Sequence, residues 1–522
     1  MATGTWLTIL SRLALALLAA AALACCGSLP KHVDTLPSAA VKPTPGSPLV
    51  RIALDSIPAP ELSGFRLMPL GIYSLDARVQ LVRRARYSLD LQYYLIDNDQ
   101  TGHLLLRNLR DAALRGVRVR LLVDDLDTVG EDPLFVGLTA FSNVEVRLFN
   151  PFCCARETLA SKFAASLFDI GRLNHRMHNK LFIADGAIAV AGGRNIADEY
   201  FMRGAQENFV DMDALIVGAI VPRLEAIFDT YWNSPYAYPA EAIVSTDLDR
   251  EQLRSRFDSL VDDGEEMMSV ALPPIDILGY GPISHDLDGG RLGLIWCKAS
   301  AFADPPAKVT STSDEMAGST SVSMNVMDLV MRSKYEVVLV SPYFIPGPTG
   351  VQAFGDLRQR DVKVMVVTNS LASTDNSLVY FGYSRYRADL LRNGVDLYEL
   401  DPTRIVQNKR LLLPGRLHAK LAVIDRSTVF IGSMNLDPRS ASKNTELGII
   451  AENPQLAREV LRVIQVRLQS AYRLRLGPDG QSLEWLIMGD AGEVVLTTEP
   501  ETSFLMRLEN VLFAPFVPEQ EL

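Results

Sequence analysis

The chain has 522 residues, 48% of them hydrophobic, and a formal net charge of −11. That length exceeds one ordinary core and implies two domains or a duplicated one, and that apolar content excludes a disordered chain. The acidic balance argues against a nonspecific nucleic-acid binder, which presents a basic surface, while leaving room for a local basic pocket.

At the N-terminus, Arg12 precedes an unbroken apolar run, Leu13 to Ala24, followed by Cys25-Cys26-Gly27-Ser28. A short apolar stretch closed by small residues has the form of a secretory signal peptide and falls short of the ~20 residues a membrane span needs. Counted from Trp6 it nearly reaches that length, so an uncleaved anchor stays open. Leu23-Ala24-Cys25-Cys26 also resembles a bacterial lipobox, with Cys25 or Cys26 as the lipidated residue. Residues 1–26 are therefore read as a signal or lipoprotein signal, and the protein is expected at the bacterial cell envelope, exported and membrane-associated. Residues 27–60, with Pro30, Pro37, Pro43, Pro45 and Pro48, read as an extended tether. Only Cys153, Cys154 and Cys297 remain beyond it, too few for a disulfide framework and without zinc spacing.

From about residue 61 two halves track each other. Tyr87 to Leu95 is strand-like and matches Tyr335 to Tyr343; helical stretches follow at Leu104 to Arg115 and Val351 to Arg360. Next come β-rich runs at Val117 to Val123 and Val362 to Val367, then Val144 to Leu148 and Val395 to Leu400. Strand–helix–strand alternation of this kind predicts α/β units on a mostly parallel or mixed sheet. The predicted organisation is a first repeat at 61–240, a linker with the start of the second lobe at 241–330, a second repeat at 331–475, and a C-terminal hairpin with an amphipathic tail at 476–522. In that tail Phe504 to Phe513 has the pattern of a short amphipathic helix, which either packs on the domain or meets a membrane.

One motif occurs twice. His178-Asn179-Lys180 is followed by Asp185 and Gly192-Gly193-Arg194-Asn195; His418-Ala419-Lys420 is followed by Asp425 and Gly432-Ser433-Met434-Asn435, an offset of 418 − 178 = 240 residues. Identical internal spacing in both copies points to one site that needs two histidines and two lysines. Asp185-Gly186 predicts a two-residue hairpin turn, which would set His178 roughly opposite Gly193 and, by the offset, His418 opposite Ser433. Alternation places each histidine and its lysine on one face.

These residue types suit a phosphodiester. Lys180 and Lys420 would neutralise the nonbridging oxygens, and Asn195, Ser433 and Asn435 would donate hydrogen bonds to them. One neutral imidazole can attack phosphorus while the other, protonated, serves the leaving alkoxide and later deprotonates the acceptor. With the charge supplied by lysines, neither metal nor cofactor is required. A nucleophilic histidine needs an orienting carboxylate. Glu446, 446 − 418 = 28 residues past His418, is one candidate, and Asp211, before Ala214 to Val217, is its counterpart in the first half, with Asp213 the second choice. Asp185 and Asp425 complete the motif, but their place at the turns indicates that they hold structure.

These residues resemble the phospholipase D superfamily, whose mark is the twin H-x-K-x(4)-D motif. Asn174 to Lys180, Gly192 to Phe201, Asn435 to Ser440 and Asn444 to Gly448 are similar to the C-type bacterial cardiolipin synthases. The resemblance covers about residues 60–475. It implies two α/β/α sandwich repeats about a pseudo-twofold, with the site at their interface and no metal. It implies phosphatidyl transfer between membrane phospholipids, with phosphatidylglycerol as acceptor and phosphatidylethanolamine as a candidate second lipid. It also implies that His178 is the nucleophile and His418 the acid/base, in a monomeric catalytic unit; any envelope partner protein is left open. Hydrolysis by the same chemistry, with water as acceptor, is the alternative, and a nuclease is a weaker one.

Overall fold

The computed structural model describes residues 29–30, 33, 35–166, 169–262, 272–310, 321–403, 406–407, 411–412, 415–489 and 492–522. The signal segment, with Cys25 and Cys26, lies outside them.

Each half is built on a mixed sheet. In the first, Val144–Phe149, Arg118–Asp124 and Ser88–Tyr93 run parallel; Leu181–Ala184, Ile188–Gly192, Asp213–Gly218 and Ser63–Met68 then follow in antiparallel order. The second half repeats the pattern with Asp396–Leu400, Lys363–Asn369, Glu336–Val340, Leu421–Ile424, Thr428–Gly432, Leu447–Glu452 and Ile295–Ala303. The two edge strands, Ser63–Met68 and Ile295–Ala303, pair antiparallel with Gly64 opposite Trp296, so the sheets are continuous. Strands such as Leu181–Ala184 and Ile188–Gly192 are buried on both faces, which explains their near-continuous apolar sequence.

Helices cover both faces of each sheet. Gly71–Arg84, Gln100–Leu114 and Asp132–Thr139 close the outer core of the first lobe around Leu104, Leu109 and Phe135. Val221–Trp232 and Pro454–Leu468 lie in a central core with Phe65 and Leu181 from one sheet and Val340 and Leu421 from the other. The result is two α/β/α sandwiches that share their inner helical layer, the architecture expected from the sequence.

Two segment readings need correction. The proline-rich tether is not free over its described part. Ser38 accepts a hydrogen bond from Trp232 Nε1 at 2.9 Å, and Ser47 caps the helix Pro48–Ser56 by accepting from the amides of Leu49 and Val50. Leu49, Val50 and Ala53 are buried in the first core, because proline at N1 and a serine cap favour a helix whose apolar face then finds the sheet. In 241–330 the later part does start the second lobe, through the strand Ile295–Ala303, but the earlier part is not a linker. The helix Arg250–Val261 packs on the first lobe through Phe257, whose ring lies 6.2 Å from that of Phe141, and Arg110 reaches Asp258 and Asp262 at 2.7 and 2.8 Å. Asp258 and Asp262 thus face a basic partner across the chain, and Ile295–Ala303 is a strand of the second sheet.

Candidate active site

The motif strands are interrupted at the chemistry. Gly415–Leu417 pairs in parallel with Asn208–Val210 of the first lobe, whereas Leu421–Ile424 belongs to the second lobe's own sheet. His418-Ala419-Lys420 spans the step between them, and the His418 amide donates to Val210 O at 2.8 Å. The first copy does the same in reverse: the His178 amide donates to Thr445 O at 2.9 Å, and the Thr445 amide to Arg176 O at 2.9 Å.

This crossing decides which acid meets which histidine. Asp211 follows Val210 and reaches His418 Nδ1 at 2.7 Å; Glu446 follows Thr445 and reaches His178 Nδ1 at 3.0 Å. Each carboxylate therefore serves the histidine of the other lobe, and the sequence reading of Glu446 from its distance to His418 is corrected. Local pattern marks a strand but not the lobe it pairs with. Asp213 turns away, to Arg78 at 3.0 Å and Ser74 at 2.6 Å.

The hairpin register also differs from expectation by one residue. Asp185 and Gly186 both have positive φ, 50° and 65°, but Ala184 pairs with Ile188, and Ile424 pairs likewise with Thr428. Three residues separate the closing pair, so the ladder does not set His178 opposite Gly193. Both ladders end before the histidines, which leave to pair with the opposite lobe. Asp185 accepts from the amides of Arg86, Tyr87 and Ser88 at 2.7–3.1 Å and from the Ser47 hydroxyl. Asp425 accepts from those of Lys334, Tyr335 and Glu336 at 2.7–3.1 Å. Each pins the start of its lobe's first parallel strand, far from the imidazoles.

Both imidazoles line a single cavity of about 480 Å³, together with Asn195 and Asn435. The Oδ1 atoms of those two asparagines are buried without a partner among the described residues, and Asn195 Nδ2 donates to Tyr200 OH at 2.9 Å. A half-turn of either amide would present N–H groups to an anion. Lys180 and Lys420 are buried, and each ammonium donates to the carbonyl of its own histidine, at 2.7 and 2.5 Å. Ser433 is corrected from an expected phosphate donor: its hydroxyl is taken up by Glu446 Oε2 at 2.5 Å, and Ser440 donates to Oε1 at 2.9 Å. At the matching position Gly193 leaves no room for a side chain, because a Cβ there would stand 2.3 Å from Asp211 Oδ1.

The electrostatics of the two half-sites diverge. Burial, then the Lys180, Lys420 and His418 charges, hold His178 well below its usual value. Burial and Lys420 bring His418 down to about 4, against the pull of Asp211. Burial also lowers Lys180 well below the usual lysine value and Lys420 to about 8, despite the two carboxylates. Burial raises Glu446 to about 7, although Lys180 opposes it. For Asp211 burial acts upward as well, but the His418 hydrogen bond and charge overcome it and leave the carboxyl at about 2. The four basic groups crowd one buried region and depress one another, and a bound anionic phosphoryl group is what would relieve them.

Several wall residues went unseen in the sequence. Tyr94 meets His178 edge-on at 5.3 Å with the Lys180 ammonium over its ring, and Tyr200 meets His418 edge-on at 5.0 Å. Arg176, paired with Asp124 at 3.1 Å, and Arg439, which bonds Asn174 at 2.9 Å, bring positive charge to the mouth. Behind Glu446, the buried Lys308 binds Asp304 at 2.7 Å and Ser440 O at 2.9 Å. The strings Asn174 to Lys180 and Asn435 to Ser440 held the two arginines; nothing local marked Tyr94 or Lys308.

Comparison with known proteins gives the same class. The family model described as "Cardiolipin synthase, PLD-like domain" matches residues 79–232 and 326–467. The chain belongs to this cardiolipin synthase branch of the phospholipase D superfamily. It is 36% identical to cardiolipin synthase C of Escherichia coli (strain K12) over 454 residues, 84% of this chain and 93% of that protein. It is 30% identical to an uncharacterized protein of Helicobacter pylori (strain J99) over 89% of this chain and 90% of that one. A crystal structure of phosphatidylserine synthase from Haemophilus influenzae Rd KW20 shares the fold, with a TM-score of 0.55 at 13% identity over 90% of this chain and 96% of that one.

Proposed function

We propose that this protein is a phosphatidyltransferase that makes cardiolipin from phosphatidylglycerol and a second phospholipid through a covalent phosphatidyl-histidine. The observation that carries the reading is the pair of carboxylate-oriented imidazoles, one from each lobe, on one cavity, with a buried lysine held against the carbonyl of each histidine. Family membership and the E. coli relative support the class of activity.

In this mechanism Glu446 holds Nδ1 of His178, so Nε2 faces the phosphorus. The neutral imidazole attacks; the P–N bond forms as the P–O bond to the leaving group breaks, and His418 gives its proton to that alkoxide. The acceptor hydroxyl then returns a proton to His418 and attacks phosphorus, which breaks the P–N bond and frees His178. Asp211, held ionised, stabilises the imidazolium that His418 becomes. Lys180 and Lys420 neutralise the nonbridging oxygens, with Asn195 and Asn435 beside them. Exported, membrane-associated protein with a lipid on Cys25 or Cys26 fits a bilayer substrate.

The test is incubation of purified protein with phosphatidylglycerol alone and with added phosphatidylethanolamine, with lipid products identified by mass spectrometry. Cardiolipin as the main product supports transfer. Phosphatidic acid as the sole product would mean that water is the acceptor.

A further inference from the structure

The helix Phe504–Phe513 is inside out for a protein surface. Phe504, Leu505, Leu508, Val511 and Leu512 recur at positions i, i+1, i+4, i+7 and i+8, one face of a helix, and all are exposed; Phe504 and Val511 reach 72% and 71%. Phe516 extends the patch at 81% exposure. The residue turned inward is polar: Asn510 is buried, where its Oδ1 accepts from Ser384 Oγ at 3.0 Å. A surface helix ordinarily shows water the opposite face, and a contiguous apolar patch of this kind marks a contact.

The helix is also held firmly. Glu499, just upstream, is buried against Arg387 at 2.7 Å and accepts from Tyr380 OH at 3.1 Å, and Ser503 caps the helix on Met506 N. Its inner side rests on the helix Ser377–Ser384, which begins at the wall of the catalytic cavity: Asn376 and Val379 line that cavity, and Leu378 between them is 51% exposed. The helix that carries the apolar patch thus packs on a helix whose first turn lines the cavity.

We infer that the outward face of Phe504–Phe513, continued by Phe516, is a docking surface for a phospholipid bilayer, which it holds beside the catalytic cavity. This rests on the proposed phosphatidyl transfer for the choice of occupant: bilayer lipids must reach the cavity, and the helix Ser377–Ser384 on which this one rests begins at the cavity wall. At ten residues the helix is too short to cross a bilayer, so the contact is an in-plane one, with apolar side chains sunk to the boundary of the acyl chains.

The test uses the full chain and vesicles of phosphatidylglycerol and phosphatidylethanolamine. Amide hydrogen exchange of residues 504–516 is compared with and without vesicles. Exchange should slow at least several-fold on vesicles, whatever the N-terminal segment contributes to binding. A triple variant, Phe504→Ser, Val511→Ser and Phe516→Ser, is assayed on vesicles and on short-chain phosphatidylglycerol below its micelle concentration. The expected result is a loss of about tenfold or more on vesicles, mainly in apparent KM, with the monomeric rate kept. Unchanged exchange during turnover on vesicles, or an equal loss on both substrates, would overturn the inference. Wild-type failure on both substrates would instead count against the proposed activity itself.

Discussion

Around His178 the orienting acid is Glu446, which accepts from two serine hydroxyls and sits at about 7; around His418 it is Asp211, packed against a glycine and held at about 2. The motif copies are alike, yet their supports are not. The extra methylene of glutamate is accommodated with Ser433, Ser440 and the Lys308–Asp304 pair behind it. The shorter aspartate needs the bare Gly193 and accepts from the neighbouring Met212 amide. A carboxylate that stays ionised favours an imidazolium beside it, and one that holds its proton near neutrality favours a neutral ring. The proposed mechanism asks for a neutral nucleophile at His178 and a proton carrier at His418; since His418 itself lies at about 4 in the free site, Asp211 and a bound phosphoryl anion together must bring on its proton.

Breaking either side outright is the largest perturbation. His178→Ala and His418→Ala should each lower kcat by about 10⁴-fold or more, because both steps need both rings. Cardiolipin formation retained in His418→Ala would sink the two-histidine account. The asymmetry itself is sharpened by Asp211→Asn against Glu446→Gln. The first should cost about 10²–10³-fold in kcat, since it removes a full charge from the imidazolium, and the second about tenfold. Equal losses would mean that the two acids play the same part.

Stability against pH separates them again. Glu446 binds its proton more tightly folded than unfolded, so its contribution to stability is complete below about 4.5 and declines as pH rises to about 7. Glu446→Gln should flatten the urea-unfolding curve across that window by up to ~3 kcal/mol. For Asp211 the sign is opposite: its contribution is present above about 3.8 and lost only as pH falls toward 2. A smaller effect compares the turn aspartates. Asp185→Ala orphans buried amides and the Ser47 hydroxyl and should cost ~2 kcal/mol of stability; Asp425→Ala, at a half-buried site, should cost less. Thermal unfolding checks this, and both variants should keep kcat while folded.

The repeat, its alternation of strands and helices and the meeting of the two motif histidines on one cavity were legible because period-2 apolar runs and identical motif spacing are local signals. The helix Phe504–Phe513 was legible from another local signal, an amphipathic run stopped by Pro515 and Pro518. What escaped was everything decided across lobes. Glu446 and Asp211 were picked out as strand-starting acids, but their exchange between halves follows from Val210 meeting Leu417 and Met177 meeting Thr445. Ser433 was read as a phosphate donor because sequence does not show that Glu446 competes for its hydroxyl. The tether and the first part of 241–330 were misread because Ser38, Asp258 and Asp262 look solvated until Trp232 and Arg110 are brought to them.

The division of roles between the lobes is most directly tested by trapping the covalent enzyme. Wild-type enzyme, mixed briefly with acyl-labelled phosphatidylglycerol, is rapidly quenched, digested and mapped by mass spectrometry. The account predicts a phosphatidyl adduct on the peptide that contains His178 and none on the peptide around His418; His418→Asn enzyme, whose first step lacks its acid, should show the adduct at lower occupancy. An adduct on His418 in wild-type enzyme, with His178 unmodified, would contradict it.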